Sequence, residues 1–119
     1  MQRIFFPSSK PIFVNEKEVI ENLRSISGIL KKREKKVRSI YLFGSYAKGK
    51  AGFRSDADIL VVLSKDDRRM KDRLDEFILE FSDALVPVDV LVYTEEEIKR
   101  EIGKGNKFLH DAINGIRLV

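Results

Sequence analysis

The stretch at 56–63, Asp56-Ala57-Asp58-Ile59-Leu60-Val61-Val62-Leu63, opens with two carboxylates and continues as an apolar run with almost no alternation. A run of this kind suits a central strand covered on both faces. Strand side chains alternate, so residues i and i+2 share a face, and Asp56 and Asp58 at the start of such a strand are expected to point the same way.

Working outward, residues 37–43 read as a strand with Ile40, Leu42 and Phe43 apolar, ending at Gly44, where the chain must turn. Ser45 then stands at a helix-start position leading into Tyr46-Ala47-Lys48. Upstream, Asn15 with Glu18 resembles an N-cap with an acidic first turn, and Val19, Ile20, Leu23, Ile26 and Leu30 recur at helical spacing to about Lys35. Downstream, Met70, Leu74, Phe77, Ile78 and Phe81 form one stripe of a helix expected over 66–84 and stopped by Pro87. A third strand follows at 88–93, Val-Asp-Val-Leu-Val-Tyr. Thr94 with Glu97 forms a capping box for a short helix, interrupted by Gly103 and Gly105. A last helix over 106–114, with Phe108, Leu109, Ala112 and Ile113 inward, leads past Gly115 to a strand at 116–119. The expected fold is α/β (α+β): a small mixed sheet of about four strands with helices packed mainly on one face.

With 119 residues and 43% hydrophobic content, the chain supports one modest core. It divides into an N-terminal extended arm, 1–14, and a domain, 15–119. The arm carries Phe5, Phe6, Ile12 and Phe13 around Pro7 and Pro11, and reads as an edge strand, a docking surface or part of the core. Charged residues make up 35% with both signs mixed, and 23 basic against 19 acidic residues leave a net charge of +4, which favours an anionic ligand. The basic clusters at 31–38 and 65–73 read as solvated helical faces rather than a nucleic-acid groove. There are no cysteines, which excludes disulfides, zinc–thiolate clusters and thiol chemistry. No apolar run approaches the ~18 residues of a membrane span, and the prolines interrupt any signal-peptide core, so a cytoplasmic location is expected.

Two carboxylates held as close as Asp56 and Asp58 repel each other unless a cation lies beside them, and hard oxygen ligands suit magnesium or manganese. Exposed Asp pairs near turns are also common. Asp89 adds weight: it stands between Val88 and Val90 in an apolar strand, where an uncompensated charge costs several kcal/mol, roughly. A cation, a salt bridge or an open strand face would each satisfy it. Three carboxylates on two candidate neighbouring strands make a two-metal site of the kind that clamps attacking and leaving oxygens. Phe43-Gly44-Ser45 supplies a strand end, a glycine that permits close approach and free amides that attract phosphate, although Gly-Ser after a strand is usually only a turn. Ser45 lies eleven residues ahead of Asp56, room for a loop that brings turn and carboxylates to one sheet edge.

Taken together, FGSYAKG (43–49), SDADILVVL (55–63) and VDVLV (88–92) resemble the nucleotidyltransferase superfamily related to DNA polymerase beta, in particular its minimal nucleotidyltransferases (MNT). The resemblance covers about residues 15–119. It implies a polymerase beta palm-like fold and a magnesium-dependent enzyme that attacks the α-phosphorus of a nucleoside triphosphate such as ATP and releases pyrophosphate. By the same resemblance Gly44 and Ser45 hold the triphosphate, Asp56 and Asp58 bind two magnesium ions, and Asp89 serves one metal and the attacking hydroxyl, with a role as base. Lys48 stands where many relatives have Arg, losing a bidentate grip, while Arg54 and Lys50 in the same loop compensate. The resemblance further implies a partner in trans, a helical HEPN-type protein, with this chain the antitoxin of a toxin–antitoxin pair that attaches AMP to its toxin. A homo-oligomer is the other assembly to weigh. The rivals are a non-catalytic module that neutralises its partner by occlusion, and a nucleic-acid-binding domain. Tyr46 reads as core rather than as a base-stacking ring, and His110 as a surface residue without a role.

Overall fold

A computed structural model of the protein describes residues 2–4, 15–49 and 56–119, of which residues 2–4 are described by their backbone alone. Five strands form one mixed sheet: β1 (Gln2–Ile4), β2 (Val37–Phe43), β3 (Ala57–Leu63), β4 (Val88–Thr94) and β5 (Ile116–Arg117), in the order β1-β4-β3-β2-β5. The expected mixed α/β sheet is present, with the short β1 added at one edge, but helices cover both of its faces rather than mainly one, because the central strands are apolar on both sides. β3 and β4 run parallel, and every other pair is antiparallel.

The apolar run of 59–63 occupies the centre, where Ile59, Leu60, Val61 and Leu63 are fully buried. Alternation along it feeds two cores. Ile59, Val61 and Leu63 meet Val90 and Val92 and the inward stripes of the two longer elements: helix α1 (Glu16–Arg33), and helix α2 (Met70–Phe77) with the 3-10 turn Ile78–Phe81. Leu60, Val62 and Leu91 face the other way, onto two short helices, α3 (Glu95–Gly103) and α4 (Lys107–Ile113).

The caps match the sequence signals. Asn15 Oδ1 accepts from the Glu18 amide at 2.8 Å at the start of α1. Thr94 and Glu97 close a reciprocal capping box at α3. Asn106, not singled out as a cap in the sequence, also caps α4: its Oδ1 accepts from the Leu109 amide at 3.1 Å.

Three local expectations are corrected. The helix expected from Ser45 is a run of turns over 44–49: Lys48 N–H donates to Gly44 O at 3.2 Å, and among the described residues no helix lies between β2 and β3. The helix expected over 66–84 starts only at Met70, because the Asp66 side chain accepts from the Arg68 amide at 2.8 Å and holds a turn there. Phe108, expected inward, is 51% exposed, while Leu109 and Ala112 take the buried positions. Arg73 also departs from the solvated face expected of its cluster. Its side chain is buried and donates to Glu97 Oε1 at 2.6 Å, Glu97 Oε2 at 3.0 Å, Asp66 O at 2.8 Å and Arg68 O at 3.0 Å.

Candidate active site

One row of the sheet brings the candidate residues together. Phe43 of β2 pairs with Asp58 of β3, and Asp58 in turn pairs with Asp89 of β4. Paired residues of neighbouring strands share a face, so the two carboxylates stand side by side on the face that Leu60, Val62 and Leu91 give to α3 and α4. Asp89 is 7% exposed, and Asp58 is half-buried. On its other side Asp89 lies opposite Arg3 of β1 in the backbone register.

Gly44 follows Phe43 directly and has φ +76°, a conformation that side-chain-bearing residues rarely adopt. A Cβ built on Gly44 would overlap Asp58 Oδ2. The turn therefore lies directly against the carboxylate: the backbone angle favours glycine, and a side chain there would have to push the Asp58 carboxylate aside. Ser45 is half-buried in this turn, and Lys48 is exposed at its far end.

Asp56 is placed differently from Asp58. Pairing starts at Ala57, whose amide donates to Pro87 O at 2.8 Å, so strand alternation fixes the direction of Asp58 and leaves Asp56 one residue outside the ladder. Asp56 is nonetheless tied to the turn electrostatically. Burial, with the charges of Glu16 and Asp56, pushes the Tyr46 phenol above its ordinary value. Tyr46 itself is 4% exposed and belongs to the larger core, as its reading as a core residue required. His110 lies on the surface of α4, also as expected. Arg54 and Lys50 lie outside the described residues.

Among the described residues no three His, Cys, Asp or Glu side chains form a ready-made metal-ligand group. The donor set nevertheless fits magnesium in kind. Hard carboxylate oxygens are the ligands it takes, and it is commonly held by one or two carboxylates together with substrate phosphates and water rather than by an all-protein cage. Two adjacent carboxylates beside a glycine turn that leaves no room for a Cβ have that composition.

A cleft of about 540 Å³ opens at this row, within the size range of small-molecule sites. Gly44, Ala47, Lys48 and Asp58 line one side, and Phe108, Asp111, Asn114 and Gly115 the other. The α4 wall was not legible as part of a site. Its one signal, an aromatic on a short helix beside a glycine, also describes ordinary core. Gly115 lets the end of α4 approach β2 closely: a Cβ there would overlap Leu42 O and lie 3.2 Å from Phe43 Cβ.

With this geometry in place, comparison with known proteins becomes specific. No curated protein matches the chain. Among solved structures, the crystal structure of a presumed nucleotidyltransferase from Sulfolobus solfataricus shares the fold, with a TM-score of 0.61 at 24% sequence identity over 71% of this chain and 75% of that one. The family described as the nucleotidyltransferase domain matches residues 23–115, a span that contains the glycine turn, all three aspartates and the α4 wall. The chain belongs to the nucleotidyltransferase domain family, enzymes that transfer a nucleotidyl group from a nucleoside triphosphate with the help of a divalent metal.

Proposed function

We propose that the protein transfers AMP from ATP to a hydroxyl of a partner protein, with Asp56, Asp58 and Asp89 as the metal-binding carboxylates. The observation that carries this reading is the side-by-side register of Asp58 and Asp89, with the Gly44 turn pressed against Asp58. Bound magnesium would supply charge neutralisation of the triphosphate and of the developing negative charge.

The chain's own residues do the rest. Amides of the turn at Gly44 and the Ser45 hydroxyl donate to phosphate oxygens, and Lys48 and Arg54 add positive charge. Asp89 accepts the proton of the attacking hydroxyl as its oxygen bonds to the α-phosphorus and the bond to pyrophosphate breaks. Positioning and electrostatics supply most of the rate. The acceptor proposed is a small helical HEPN-type protein, the toxin of a pair in which this chain is the antitoxin. The proposed reaction takes place in the cytoplasm. Among the described residues no helix is long and apolar enough to cross a membrane.

Incubation with magnesium, the partner and ATP labelled at the α or the γ position tests the chemistry. Transfer of the α label alone is expected. Transfer of the γ label would mean kinase chemistry, and tight partner binding without transfer of either label would leave a module that acts by occlusion.

A further inference from the structure

Phe108 is an exposed aromatic in a position that the core does not explain. Of the apolar residues of α4, Leu109 and Ala112 are fully buried, yet the Phe108 ring is 51% exposed. It is held at an angle of 89° to Phe43, with ring centroids 5.4 Å apart, and Phe43 is the residue that leads into the Gly44 turn. The ring lines the same cleft as Gly44, Lys48 and Asp58.

The two walls of that cleft differ in chemistry. The strand-end wall carries the phosphate-compatible groups: turn amides, a lysine and the carboxylate proposed to hold a metal. The α4 wall carries an aromatic ring and two acceptors. Asn114 donates through Nδ2 to His110 O at 2.7 Å, which leaves its Oδ1 to accept, and Asp111 lies one turn earlier. Acceptors there suit ribose hydroxyls or an exocyclic amine, and an aromatic face suits a base.

We infer that α4 is the nucleoside wall of the site: Phe108 stacks on the base of the donor nucleotide while its phosphates lie against the Gly44 turn. This rests on the proposed nucleotide-binding function and adds to it the residue that holds the base. Stacking of a base on an aromatic side chain changes affinity by roughly five-fold to a hundred-fold and tolerates every base. A half-exposed ring belongs at the lower end of that range.

The test compares a non-hydrolysable α,β-methylene ATP analogue with inorganic tripolyphosphate, each with magnesium, by titration calorimetry on the wild type, Phe108→Ala and Phe108→Tyr. Phe108→Ala is expected to weaken the nucleotide about ten-fold, to leave tripolyphosphate unchanged, and to be rescued by Phe108→Tyr. Equal weakening of both ligands, or of neither, would overturn the role of Phe108 while leaving the proposed function standing. A wild type that binds neither ligand would overturn the proposed function and this inference with it. Unchanged circular dichroism and a melting temperature close to wild type separate a lost stacking contact from a lost fold.

Discussion

Gly44 and Asp58 occupy adjoining space: the point where a Cβ would stand on Gly44 is already taken by the Asp58 carboxylate. Gly44→Ala therefore combines a backbone penalty with displacement of a proposed metal ligand. Gly49 has φ +67°, and an added Cβ there would meet nothing among the described residues, so it carries the backbone penalty alone. Gly49→Ala is expected to cost about 1 kcal/mol of stability and little activity. Gly44→Ala should cost about 1–3 kcal/mol and nearly all transfer. Equal activity of the two variants would mean that the contact with Asp58 has no bearing on the reaction.

Asp58→Asn and Asp89→Asn preserve shape and remove charge. Each is expected to lower nucleotidyl transfer by at least about 10²-fold, the scale on which one electrostatic group at a reaction centre is felt. Magnesium-dependent binding of nucleotide should fall in parallel while the far-ultraviolet spectrum stays the same. Wild-type rates in Asp58→Asn would remove that residue from the site.

Arg73 joins α2 to the start of α3 at the opposite end of the strands from the carboxylates. Its side chain is 5% exposed and that of Glu97 25%, so the pair is only partly screened by solvent. Arg73→Met leaves Glu97 without its partner and is expected to cost about 2–3 kcal/mol, below the full cost of breaking a wholly buried pair. In a domain of this size that lowers the melting temperature by roughly 10 °C. Specific activity well below the new midpoint should be unchanged, and Arg73→Met combined with Glu97→Gln should recover part of the loss.

Acid sensitivity follows from the same network. Hydrogen bonds from Arg68 hold Asp66 well below the usual carboxylate range. The hydrogen bond from Arg73 lowers Glu97. For Glu76, burial acts in the raising direction, but hydrogen bonds from Lys36 and Arg68 outweigh it and the net shift is downward. Because each is lower in the folded than in the unfolded chain, the unfolded state takes up protons first as the pH falls. The stability these groups contribute is complete above about pH 5, the upper side of ordinary carboxylate titration, and is lost as the pH drops through their folded values. Urea midpoints measured from about pH 7 down to about pH 3 should fall more steeply for the wild type than for Asp66→Asn. Parallel curves would dissociate Asp66 from the acid transition.

Much of this architecture was legible before any coordinates. The uninterrupted apolar run after Asp58 announced the central strand, and Asn15 and Thr94 marked two helix starts through side chains that do accept from the backbone. What escaped was non-local. Periodicity does not say which strands are neighbours or in what register, so the row Phe43, Asp58, Asp89 could be suspected but not aligned. Ser45 has the chemistry of a helix start, but the turn it enters reaches Gly49, whose positive φ is incompatible with a continuing helix. Phe108 shares the stripe of Leu109 and Ala112 by sequence spacing. Whether a residue at the rim of such a stripe faces core or cleft depends on how closely the helix sits on the sheet, and Gly115 sets that approach.

The division between strand-borne carboxylates and a seven-residue α4 has an evolutionary corollary. The reaction centre is built on the central strands, whose alternating residues fill both cores. The opposite wall hangs on a cap and a glycine, and its outward positions are free to vary. Diversification among relatives should therefore concentrate on that short segment, and an engineer seeking a different donor would begin there and leave the sheet untouched.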